Sequence, residues 1–265
     1  MSSDYILAYG THASAQDGRC AMEWVSYLAG EPHSDQPICV SPVLRAMCIA
    51  LNDGLEQRPR QRLRPYLART IGTSQDGLDT QRGWMAMDWL TTVYTPAWLR
   101  VAGLTDGAQR LEAAAIRGPD DLTAALDLLE GARREARAAR ARAFGSPLPT
   151  GWAAAVAAGV AGREAAWACA GAAAWAAARI GIGDIAGDRA RAAARAAAGD
   201  AAAIAVRHSR ASAYHAGARA AAHAALAPTL ERLAASALTL LDRMLPTEVV
   251  PVPEPALAPP APALL

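Results

Sequence analysis

Lysine is absent from this chain. Its 26 Lys-plus-Arg positions are all arginine, and it has one asparagine, Asn52, and one phenylalanine, Phe144. GC-rich codons account for that bias. The physical consequence is that every ion pair is built on a planar guanidinium fork, more directional than an ammonium. With 25 acidic residues the net charge is +1, which gives no overall attraction to nucleic acid or an anionic membrane. Cysteine is scarce as well. Cys20, Cys39, Cys48 and Cys169 are too dispersed in 265 residues for a disulfide scaffold. Reduced thiols in a cytoplasm are the expectation. The opening MSSDYILAYG has neither the basic start nor the apolar run of a signal peptide. The run EAAWACAGAAAWAAAR holds fourteen residues between its charges, short of the ~20 that span a bilayer, and no membrane segment is expected.

Runs of alternating β-branched residues are missing, which excludes a strand ladder. No Gly-x-Ser-x-Gly elbow, Cys-x2-Cys pair or HExxH helix occurs, so none of the enzyme classes those motifs mark is indicated. The expectation is a protein that is not an enzyme and needs no cofactor.

What is present favours helix. Hydrophobic residues make up 52% of the chain, but many are alanine, the best helix former and a poor source of buried area. The fold class read from this is all-α. An N-terminal multi-helix cluster spans 1–104, an Ala/Arg-rich close-packed bundle spans 105–245, and a disordered Pro-rich tail of polyproline II character spans 246–265. Asp17 is placed to cap a first helix that ends at Gly30. Ser41 and Pro42 read as N-cap and first position of a second helix. A third is expected after Arg58 with Pro59 at its first position and a kink at Pro65. A fourth carries Trp84, Met87, Leu90 and Val93 or Tyr94 inward, and a short helix at TPAWLRVAG follows. In the second half, small side chains allow tight antiparallel or crossed helix pairs, with Trp152, Trp167 and Trp175 as plugs.

Chemistry-bearing residues concentrate in CAMEWVSYLAGEPHSDQPIC, residues 20–39. Cys20 and Glu23 lie three apart on one helix face, and the turn after Gly30 brings His33, Asp35 and Cys39 back toward them. Cys20, Glu23, His33, Asp35 and Cys39 are therefore the candidate metal or thiol set. In the bland alternative both cysteines are small buried groups, Asp35 closes the turn and Glu23 pairs with an arginine. Arg133, Arg137 and Arg140 form a stripe that could track a phosphate backbone, although pairing with Asp and Glu is the simpler use. The arginines of RPRQRLRPYLAR ring their helix, as on a solvated face. His208 and His215 lie two turns apart, roughly 10 Å, too far for one metal.

Asp17, Gly18, Cys20, Met22, Glu23, the AGEP turn at Gly30–Pro32, Ser34, Asp35, Pro37, Cys39 and Pro42 form a pattern that resembles the opening of an uncharacterised all-helical family of actinobacteria and their phages. The likeness covers about the first hundred residues, and ALTLLDRML is similar to that family's end. Gln36 stands where the family often has histidine, and this chain has His33 instead. The resemblance implies a helical fold and no activity. The expected function is that of a helical interaction, scaffold or regulatory binding protein with a protein partner or a second copy of itself. Metal or thiol chemistry and nucleic-acid binding are the alternatives.

Overall fold

The computed structural model describes residues 5–145, 169–183, 185–208 and 217–247. These residues are predominantly helical and contain no strand. Trp152, Trp167, His215 and the tail beyond residue 247 lie outside them.

Helix α1 (Ala21–Leu28) starts three residues later than an Asp17 cap would place it. Its N-cap is Cys20, whose sulfur accepts from the Glu23 N–H while the Glu23 carboxylate takes the Cys20 N–H. This is a capping box with a thiol in the usual hydroxyl position. Gly30 follows the helix in the left-handed region, φ 71°. Helix α2 (Pro42–Gly54) starts as expected, with Ser41 as N-cap and Pro42 at its first turn.

The third helix is broken. It runs as α3 (Gln57–Arg60), a 3-10 turn, α4 (Arg64–Leu67) and a second 3-10 turn. Pro59 and Pro65 each remove a backbone donor, so no long i→i−4 ladder can form here. Arg60 is not on a solvated face. It is buried, and it donates to the Asn52 and Leu55 carbonyls at the end of α2, satisfying acceptors that a helix terminus leaves open.

Helix α5 (Asp79–Trp89) continues through a π-turn at Leu90–Tyr94 into α6 (Thr95–Val101). Pro96 lacks the N–H that the regular ladder needs. The Thr95 hydroxyl donates to the Leu90 carbonyl five residues back, at 2.8 Å, in keeping with the wider π spacing. Helix α7 (Thr105–Glu112) and the long α8 (Pro119–Gly145) follow. Helix α8 has Asp120 and Asp121 in its first turn and Arg142 in its last, which complements the helix dipole.

Helices α9 (Cys169–Ile182), α10 (Ile185–His208) and α11 (Gly217–Met244) complete the described chain. Helix α9 packs on α2 and α5. A Cβ at Gly83 would lie 2.8 Å from the Gly181 backbone, and one at Gly181 would lie 2.5 Å from the Asp79 carbonyl. Only glycine permits that approach. Tyr94 meets Gly171 near the other end of α9, so α5 and α9 run antiparallel. Helix α10 packs on α8. Ala190, Ala193, Ala194, Ala197, Ala198 and Ala201 are buried, as are Leu122, Ala125, Leu129, Ala132 and Ala136 on α8. Arg140 pairs with Asp200 and Arg207 lies over Phe144. That pair is therefore parallel, while the close α5–α9 pair is antiparallel, as expected of helices with small side chains. Trp175 is half-buried, with Arg195 4.8 Å and Arg179 5.5 Å from its ring.

Helix α11 closes the molecule. Trp89 donates to Ser236 at 2.8 Å, Arg82 to the Met244 carbonyl, and Arg69 to Asp242 and the Pro246 carbonyl. One continuous core runs from Leu7 to Leu245. By length and composition, Ala224–Met244 is the one stretch among the described residues that could cross a membrane, and it is 39% buried against the other helices.

Candidate functional site

The 20–39 cluster resolves into two separate carboxylate knots. Glu23 is 1% exposed. It accepts from the His12 N–H at 2.6 Å, the His12 ring at 2.8 Å and the Cys20 N–H at 2.7 Å. Burial by itself would raise its pKa, but these donors outweigh burial and hold the carboxyl below its ordinary value. Its partner is thus a histidine, not the arginine anticipated from composition. The His33 ring reaches the His12 carbonyl at 3.0 Å and stands 3.8 Å from Glu23. Glu31 forms the second knot, accepting from the Ile38 and Cys39 N–H groups at 2.8 and 2.9 Å. Asp35 takes part in neither knot; the turn is closed by Glu31 and by Ser26, which donates to the Ser34 carbonyl.

Among the described residues no three His, Cys, Asp or Glu side chains come together as metal ligands. Cys20, Glu23, His33, Asp35 and Cys39 therefore do not form one site there. Burial pushes the Cys20 and Cys48 thiols up to about 12. Burial, reinforced by Glu31, pushes Cys39 up to about 11. A thiol is reactive as its thiolate, and none of the three is poised to be one near neutral pH. The arginine stripe is also largely occupied. Arg133 pairs with Glu130 and Arg140 with Asp200, leaving Arg137 exposed.

A feature with room for a ligand lies elsewhere. A cavity of about 390 Å³ opens between the end of α2, the π-turn and α6, the start of α9, and the first half of α11. Tyr94 and Trp98 supply its aromatic wall, and Leu230, Leu233 and Ala234 face it from α11. Glu56, Arg62 and Glu231 are exposed residues of its lining. The rings of Tyr94 and Trp98 stand edge to face, 6.4 Å apart. Tyr94 is 2% exposed, and burial raises its hydroxyl pKa well above the ordinary value, so it stays neutral. Trp98 is fully buried and its Nε1–H has no aligned acceptor, although the Tyr94 hydroxyl lies close to it. Pro228, within the α11 wall, removes the N–H that would bond the Ala224 carbonyl.

The residue-pattern reading placed Tyr94 and Trp98 on helices but attached no function to them. A signal was available in TTVYTPAW. An aromatic pair four residues apart, with a proline between and three threonines able to bond back to the preceding turn, marks a perturbed helical segment.

Comparison with known proteins finds no matching family model, no matching curated protein and no matching solved structure.

Proposed function

We propose that this chain is a helical regulatory binding protein that takes a small, mainly apolar molecule into the cavity beside Tyr94 and Trp98. One juxtaposition carries the reading: a mainly apolar cavity of about 390 Å³ opens against the aromatic pair Tyr94 and Trp98 at the π-turn. The volume falls at the lower end of ligand pockets, roughly 300–1,000 Å³. A π-turn is a frequent device at functional sites. Ligand binding would stabilise the packing of α11 on α6, since a ligand that binds only the folded state raises its stability by mass action.

The test is calorimetric titration of the full chain with small uncharged aromatic molecules, beside Ala227→Phe, which fills the cavity from α11. Saturable binding to the wild type, lost in a variant of unchanged helicity, supports the reading. Equal binding to both, or none to either, refutes it.

A second reading, docking on protein, rests on Ile38, Leu78 and Ile185, which are 80%, 41% and 81% exposed. Their segments adjoin, because Ser74 bonds Cys39, Ser41 bonds Asp79, and Asp79 meets Gly181. The simplest occupant is a second copy, since near-zero net charge removes an electrostatic barrier to self-association. Sedimentation velocity of wild type against Ile185→Glu tests it. A concentration-dependent dimer that the variant lacks is the supporting result, and a monomer throughout removes the reading.

A further inference from the structure

Tyr27, Arg19, Trp24, Tyr5 and Arg64 form a run of rings and guanidinium groups across α1 and α4. The Arg19 guanidinium lies 4.6 Å from the Tyr27 ring centre and 4.9 Å from that of Trp24. The Trp24 and Tyr5 rings are 4.1 Å apart, and the Arg64 guanidinium stands 4.5 Å from Tyr5. All five residues are half-buried, so part of each faces solvent. The Arg19 guanidinium makes no hydrogen bond or ion pair with any described residue. Only its Nε is sealed from solvent, which leaves both terminal amino groups at the surface.

We propose that this face is the docking site of the chain's own proline-rich tail, residues 248–265, with the Glu254 carboxylate seated on Arg19. The cavity beside Tyr94 and Trp98 plays no part in it. The course of the chain just before the tail argues for this occupant. Arg69 Nε donates to the Pro246 carbonyl at 3.1 Å, and α1 packs on both α4 and the 3-10 turn Ala68–Thr70 that carries Arg69. The tail therefore starts beside the face. Adjacent aromatic rings suit a polyproline II segment, which has no internal hydrogen bonds and loses little entropy on docking. The tail EVVPVPEPALAPPAPALL has six prolines, two glutamates and no basic residue, so its charge is opposite to that of the face. Three residues per turn put Pro251, Glu254 and Leu257 on one edge of such a segment. Glu254 comes eight residues after Pro246, roughly 25 Å at the polyproline II rise. Arg64 is about 10 Å from Arg69 along its helical segment, and the steps from Arg64 through Tyr5 and Trp24 to Arg19 are 4.5, 4.1 and 4.9 Å. The reach of the tail is of the length that path requires.

The test uses the full chain with Leu257 replaced by the photo-crosslinker p-benzoylphenylalanine. After irradiation the monomer and any dimer are separated, and the crosslinked peptides are mapped by mass spectrometry. The expected result is an intrachain crosslink from position 257 to the segments that carry Tyr5, Trp24 and Tyr27. Glu254→Gln and Arg19→Gln, each made in that background, should lower its yield about two- to five-fold, as loss of one exposed charge pair does. The double variant should lower it no further. Far-UV circular dichroism checks that Arg19→Gln keeps its helicity, and Glu254→Gln tests the pairing without altering any helical residue. Crosslinks scattered over other helices, or none at all, overturn the docking site. Crosslinks found only in a dimer assign the face to the tail of a second copy and overturn the intrachain occupant. A yield unchanged in both single variants overturns the seat of Glu254 on Arg19.

Discussion

Glu23 shows what one buried carboxylate does here. It fastens the irregular segment before α1 through His12 and caps α1 through Cys20. Its pKa is held below the ordinary 4.5, so the folded state binds its proton less readily than the unfolded state. The stabilisation is therefore fully present above about pH 4.5 and is lost as pH falls through the lower folded value. Glu23→Gln removes the charge and is expected to cost about 1–3 kcal/mol near neutral pH. It should also flatten the acid limb of stability measured by urea unfolding across the acidic range; an acid limb as steep as wild type would refute the role. The thiols make a second prediction. With their pKa values at about 11 to 12, Cys20, Cys39 and Cys48 should alkylate slowly at neutral pH and rapidly in denaturant, as site-resolved mass spectrometry would show. Fast native labelling of buried Cys48 would contradict the packing. The Cys20–Glu23 relation was legible from a spacing of three. His12 was not, because it lies eleven residues upstream on an irregular stretch where no periodicity assigns a direction. Asn52 is similar: it bonds Ala8 and Ala21, contacts no local rule foretells.

At the scale of elements, glycine separates contact from mere flexibility. Gly83 lies where α5 touches the α9 backbone, while Gly131 on α8 has nothing closer than the Arg134 side chain at 4.0 Å. Alanine is the better helix residue at both by roughly 1 kcal/mol. At Gly83 the added methyl meets backbone, which cannot move aside as a side chain can, and overpacking of that kind costs about 1–3 kcal/mol. Gly83→Ala should therefore lower stability and Gly131→Ala should raise it slightly, both read from the midpoint of chemical denaturation; effects of the same sign would contradict the α5–α9 contact. Helix starts were readable where the cap is a local signal, as at Ser41–Pro42. The third helix read as one kinked element, although its two prolines break it into short turns. The π-turn is legible only as a perturbed helical segment in TTVYTPAW, because i→i+5 bonding itself has no compositional mark and Pro96 alone reads as an ordinary helix start.

For the whole molecule, the question is whether the chain unfolds as one unit or two. The sequence divides naturally near residue 105, where large apolar residues give way to alanine. The packing does not respect that line. Helix α9, from the alanine-rich half, packs on α2 and α5, and α11 is tied to Arg69, Arg82 and Trp89. The reason this was not legible is physical: in a helix that is nearly all alanine every face is equally small, so no stripe of large residues says which side is buried or against what. Unfolding the first hundred residues alone would strip α9 and α11 of their partners, and unfolding α9 first would expose α2 and α5. Neither half keeps its core without the other, which is the condition for a single cooperative transition. Urea titrations followed by tryptophan fluorescence and by far-UV circular dichroism should therefore superimpose. Fluorescence follows Trp24, Trp84, Trp89 and Trp98 in the first half together with Trp152, Trp167 and Trp175 in the second, while circular dichroism weights the long helices α8, α10 and α11. Two separated midpoints would show that the halves are independent, and would leave the cavity between α6 and α11 as a seam between domains.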